Sequence, residues 1–134
     1  MIDASDMPPG NDKIEAMARA AIAELPEAFR AEAEKVVLRV EDFASDGMLN
    51  DLEIPDPFAL TGLYEGVPLT EKSVLDQAIQ PDVIWLFRRA ILDEWVERGD
   101  VGLSALVAHV FLHELAHHFG WSDTDIAAID EWWA

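Results

Sequence analysis

The sequence predicts an α+β domain, with helices before and after a small sheet, and three observations predict it. Segments with helical spacing of apolar residues stand near both ends, "KIEAMARAAIAEL" and "VGLSALVAHVFLHELAHHF". Between them lie an alternating segment, "VVLRVEDF", and a continuous apolar run, "DVIWLF". The chain has 134 residues and a hydrophobic fraction of 51%, which suits one domain with one core. Residues 1–11 read as a flexible N-terminal arm because Pro8, Pro9 and Gly10 break regular structure, and residues 12–134 as the single domain.

Each element has its own warrant. Asn11 or Asp12 is placed to cap a first helix whose Ile14, Met17, Ala21 and Leu25 share a face. Pro26 is suited to start a second, shorter helix, "PEAFRAEAEK". In "VVLRVEDF", Val36, Leu38 and Val40 point one way and Arg39 and Glu41 the other, as in a half-buried strand. Residues 46–59 contain Gly47, Pro55 and Pro57 and read as a long connection. "LTGLYEGVPLT" is a short strand interrupted by glycines and Pro68, which places it at a sheet edge. "DVIWLF" reads as a central strand and "RAILDEWVER" as a helix ended by Gly99. A long helix follows, ended by Gly120, and "DTDIAAIDEWWA" reads as a short closing helix.

Composition narrows the function. No cysteine is present, which removes disulfides, thiolate metal sites and cysteine nucleophiles, and fits a reducing cytoplasm. The net charge is −18, so nucleic acids and anionic membranes are poor partners. No basic n-region precedes an apolar run at the start, and no later run is long enough to span a membrane. No Lys or Arg follows Arg98, and all four histidines fall between His109 and His118 inside that non-basic region. A cation meets no local repulsion there.

The long helix carries the chemistry. At about 100° per residue, His109, His113 and His117 form one stripe, with apolar side chains around most of the remaining circumference. That composition predicts a buried helix. Glu114 is its one formal charge between Val101 and Gly120. A buried carboxylate beside imidazoles, with no basic residue on the helix, calls for compensation, and a divalent cation supplies it. His113 and His117 stand one turn apart and can aim ring nitrogens at one point, whereas Glu114 lies about 100° away, beside a metal-bound water rather than on the metal. This is the His-Glu-x-x-His signature of zinc hydrolases.

Such a site needs a third donor. Gly120 falls where a glycine can stop the helix and turn the chain back, and Asp123 is the third residue beyond it. Asp123 has two possible roles: a hard oxygen ligand for zinc, or an N-cap for the closing helix. The complete pattern, His113-Glu114-x-x-His117-x-x-Gly120-x-x-Asp123, favours the ligand, with Asp125 as the alternative donor. His118 points away from the stripe and is read as a core residue or a support to the ligands. His109 is read as a packing or supporting residue, since three ligands are already supplied.

At this point the sequence resembles the minimal zincin family, small bacterial metallopeptidase-like proteins. "LTGLYEGVPLTEKS" and "PDVIWLFRRAIL" are similar to that family's characteristic segments, and "HELAHHFGWSDTDI" to its metal helix and following turn. The similarity runs from about Leu25 to the last residue. It implies a compact α+β fold with a mixed sheet, a zinc-type site held by His113, His117 and Asp123, and Glu114 as the catalytic glutamate. Metzincin-type proteases place a methionine turn beneath the metal, but the last methionine here is Met48, so an abbreviated floor and cleft are expected.

Three functions compete. The leading one is a zinc-dependent metallopeptidase acting on a peptide or protein substrate, with a zinc-activated water and Glu114 as general base. Tyr64 is a candidate oxyanion donor or an ordinary packed tyrosine, and Arg88 and Arg89 read as surface charges. The alternative is a metal-stabilised interaction or regulatory module, in which Trp121, Trp132 and Trp133 pack the core or shield the metal. The third is a metal-dependent endoribonuclease, a class that shares the spacing but carries histidines where this chain has His113, His117 and Asp123 and lacks the glutamate, so Glu114 and the charge of −18 both argue against it.

Overall fold

The computed structural model describes residues 9–66 and 81–120. The closing helix, Asp123, Asp125, Pro68, the three C-terminal tryptophans and most of the N-terminal arm lie outside the described residues. Among the described residues, no helix is long and apolar enough to cross a membrane.

Helix α1 (Asn11–Ala23) buries Ile14, Ala18, Ala21 and Ile22, a three-to-four spacing that makes one apolar face. Its cap differs from expectation. Gly10 is the N-cap, in extended backbone, and no side chain caps the end. Asn11 and Asp12 are already helical, and Asp12 instead places negative charge in the first turn, where the helix dipole favours it. Helix α2 (Glu27–Ala33) begins directly after Pro26, as the sequence predicts.

Strands β1 (Val37–Glu41), β2 (Gly62–Glu65) and β3 (Val83–Phe87) form a mixed sheet in the order β1-β3-β2. β1 runs parallel to β3 and β2 antiparallel to it. The continuous apolar run is therefore the central strand, and the glycine-interrupted segment an edge. The register aligns Leu38, Ile84 and Tyr64 in one row and Val40, Leu86 and Gly62 in the next. These rows face the main core, because strand side chains alternate between faces.

The connection expected over residues 46–59 is not plain loop. It holds helix α3 (Asp46–Asp51) and a 3-10 turn (Pro57–Ala59). Ser45 Oγ accepts from the Met48 amide at 3.1 Å, and Asp56 Oδ1 from the Phe58 amide at 3.0 Å. Both pieces are shorter than the window in which hydrophobic periodicity can be read, so their capping side chains are their main signal.

Helix α4 (Arg88–Arg98) leaves β3 without a loop and stops at Gly99, whose φ of 73° is left-handed. Arg88 is not a simple surface charge. Its Nε donates to Asp42 Oδ1 at 2.8 Å and its Nη1 to the Pro9 carbonyl at 3.2 Å. It thus ties the end of β1 to the approach to α1. Arg89 is exposed, as expected, with its guanidinium 5.5 Å from the centre of the Phe43 ring.

Helix α5 (Leu103–His118) lies with α1 over one face of the sheet. Ile14, Ile84, Leu86, Ile91, Leu106, Val107, Phe111 and Leu115 share this main core. Fully burying each such side chain contributes about 1.5–3 kcal/mol. A smaller cluster of Ala44, Leu49, Phe87 and Ala90, with Leu63 and Trp85 against it, fills the opposite face. The α+β class, the mixed sheet and the helix-packed arrangement match expectation.

Candidate metal centre

α5 is anchored along its length by one buried face, Leu103, Leu106, Val107 and Val110 in its first half and Phe111, Leu115 and Ala116 in its second. The helix packs into the core as expected, but not on every side. His109, Leu112, His113, Glu114 and His117 are half-buried, so the histidine stripe lies at the margin of the core. Apolar composition alone cannot show this, because Leu112 and Ala108 on that side are as apolar as the residues beneath.

His113 and His117 face each other one turn apart, with ring centroids 5.2 Å apart and planes at 73°. Two imidazoles so placed can direct nitrogens at a common point. Among the described residues, no group of three or more His, Asp or Glu side chains gathers into a metal cage. The expected third donor, Asp123, lies outside the described residues. The donors present, two half-buried imidazoles with a carboxylate neighbour, fit a borderline cation such as zinc. His117 also lies in the last turn of α5, where the helix dipole presents partial negative charge and favours a cation.

Glu114 meets the sheet through a glycine. A Cβ on Gly62 would come within 2.8 Å of Val110 Cγ1 and 3.3 Å of Glu114 Cγ. Two residues further along β2, Tyr64 reaches His118, its hydroxyl 3.4 Å from His118 Nδ1. Two strand residues advance about 6.6 Å and four helical residues about 6.0 Å, so the inner face of β2 keeps step with Val110, Glu114 and His118.

His118 is 3% exposed and belongs to a polar cluster that spacing does not reveal. Its Nδ1 lies 2.5 Å from Asp82 Oδ2, and its Nε2 3.3 Å from Glu32 Oε1. Tyr64 donates its hydroxyl proton to the same Asp82 oxygen at 2.6 Å. That proton is therefore committed to Asp82, which weighs against Tyr64 as an oxyanion donor and gives it a structural partner instead. Gly66, at a φ of 154°, passes over this group, and a Cβ there would overlap the Asp82 carboxylate. The cluster partners stand 36, 54 and 86 residues from His118 in sequence. No local pattern could have joined them. The available signal was a histidine off the stripe, on the buried side of an apolar helix.

The fold and the paired histidines define a protein of the zincin type, a helix-borne His-Glu-x-x-His beside a small mixed sheet. A family model described as zincin-like metallopeptidase matches residues 33–133, and the chain belongs to that family. No curated protein matches it. Membership carries, at the level of the family, hydrolase chemistry and zinc as the metal.

Proposed function

We propose that this protein is a zinc-dependent peptidase acting on peptide or protein substrates. His113, His117 and Asp123 would hold the metal and Glu114 would be the general base. The observation that carries this is the pairing of the His113 and His117 rings at 5.2 Å, on the helix whose next face presents Glu114 to Gly62. Zinc, when bound, supplies a Lewis acid for the scissile carbonyl and lowers the pKa of a bound water.

The side chains do the rest. Because Gly62 has no side chain, the stem of Glu114 can rest against the strand backbone, which limits the positions of its carboxylate. One Glu114 carboxylate oxygen takes a proton from water as the water oxygen bonds to the carbonyl carbon. It returns that proton to the amine nitrogen as the C–N bond breaks. The charge of −18 supports a peptide rather than a nucleic acid as substrate. The absence of cysteine supports a cytoplasmic location as part of the same proposal.

The test is zinc content, thermal unfolding and turnover of an unbiased peptide library for the wild type and Glu114→Gln. The variant keeps volume and hydrogen bonding but cannot take the proton. It should retain zinc and fold and lose at least ~100-fold in turnover. Unchanged turnover would remove Glu114 from the mechanism. Zinc bound without cleavage of any peptide by the wild type would replace the peptidase with a metal-stabilised interaction module.

A further inference from the structure

We propose that Asp82 is a positioning residue for the metal helix: its carboxylate, gripping His118 and Tyr64, holds the last turn of α5 in place before any metal arrives. Asp82 is 5% exposed and stands immediately before β3. Its main chain is part of the sheet, for its carbonyl accepts from the Val37 amide at 2.8 Å. Its side chain is held equally firmly, with Tyr64 Oη at 2.6 Å, His118 Nδ1 at 2.5 Å and the Gly66 backbone closing over it. Glu32, following on α2, faces the other ring nitrogen of His118. One imidazole is thus gripped from α2, β2 and the start of β3.

That grip matters because of where it falls. The last turn of a helix lacks four intrahelical acceptor bonds and frays. Here it is closed by Phe119 to the Leu115 carbonyl at 3.2 Å and Gly120 to the His117 carbonyl at 2.9 Å. His118 adjoins His117, about 100° round and 1.5 Å along the axis. Fixing the roll of His118 fixes the direction in which the His117 side chain leaves the helix and the point from which the chain turns at Gly120. Apolar side chains would fill the same volume with less desolvation cost, but their contacts tolerate sliding. Hydrogen bonds to a rigid carboxylate weaken steeply with misalignment and select one geometry.

The test pairs amide exchange in the metal-free protein with zinc affinity by chelator competition, the second readout resting on the metal-site proposal above. Asp82→Ala should speed exchange of the amides of residues 117–120 by about tenfold or more, while those of residues 107–111 stay protected. Its zinc affinity should fall about tenfold or more. Asp82→Asn, which keeps one acceptor oxygen, should bring both back to within about threefold of wild type. Leu103→Ala, a cavity at the far end of the same helix, should lower the melting temperature yet leave zinc affinity within about twofold. Should Asp82→Ala not fold, Tyr64→Phe removes one bond at nearly constant volume and should move both readouts about threefold the same way. Wild-type exchange in Asp82→Ala and Tyr64→Phe overturns the proposal. So does faster exchange with unchanged affinity, or an equal loss of affinity in Leu103→Ala. If the wild type binds no zinc, the metal site falls and exchange alone decides the role of Asp82.

Discussion

Gly62 lies against the side of Glu114, so the edge strand meets the metal helix backbone-first at the turn that carries the glutamate. The clearance is too small for a methyl group, because Val110 Cγ1 and the Trp85 carbonyl close the other sides at 2.8 and 3.3 Å. A valine on a helix is nearly locked in χ1 and cannot swing away. Gly62→Ala should therefore destabilise the fold by about 1–3 kcal/mol through overpacking. Turnover should fall further than that loss explains at a temperature where the variant is folded, since Glu114 is displaced with the helix. Thermal unfolding and peptide turnover on one preparation check this. Wild-type values for both would mean that the strand yields and the contact is incidental.

The ligand proposal predicts about one zinc per chain, largely lost in His113→Ala and in His117→Ala, because each removes a ring nitrogen from the metal. Metal analysis after dialysis is sufficient. Full occupancy in either variant would refute the assignment of that histidine.

Asp123 is tested by separating its two possible roles. Asp123→Ser keeps an N-cap but offers zinc a poor donor, whereas Asp123→Asn keeps shape and loses charge. Both should weaken zinc binding. If Ser binds zinc as the wild type does, Asp123 is a cap and Asp125 becomes the next residue to replace.

The Arg88 hydrogen bond, helped by the charges of Arg88 and Arg89, holds the carboxyl of exposed Asp42 below the usual carboxylate range. A depressed folded pKa means stability that is present above the unfolded pKa, near about 4, and lost as pH falls through the folded value. Asp42→Asn should thus melt slightly below the wild type at neutral pH, with the gap closing below about pH 4. The effect is small because the pair is exposed and screened. Melting temperatures of both proteins across the acid range decide it, and a constant gap would assign the difference to packing.

Much of the fold was legible because its elements are long or strongly patterned. "DVIWLF" had to be central, since a run apolar on both faces needs cover on both. The stop at Gly99 followed from the need for a left-handed residue. Helix α3 was not legible, because one capping serine and six residues leave no periodicity to read. At the candidate site the histidine pair was legible, since its geometry is local to one helix. The Asp82 cluster was not, since its members meet only after β1, β2 and β3 have paired. The inward turn of Arg88 has the same explanation: its partner Asp42 lies 46 residues away in sequence.

The parallel pairing of Val37 with Val83, together with the packing of Ile14 and Ala18 in one core with Leu106 and Val107, has a kinetic consequence. The native core joins distant parts of the chain, and α1 packs most extensively on α5, so much of its apolar face lacks a partner until α5 exists. Contacts of such high sequence separation require long loops to close before they stabilise anything, and folding slows accordingly. During synthesis, α1 would present Ile14 and Ile22 to solvent for most of the time it takes to make the chain. A nascent chain halted after β3 should then bind chaperones, and release from them should coincide with the emergence of the helix that bears His113 and His117.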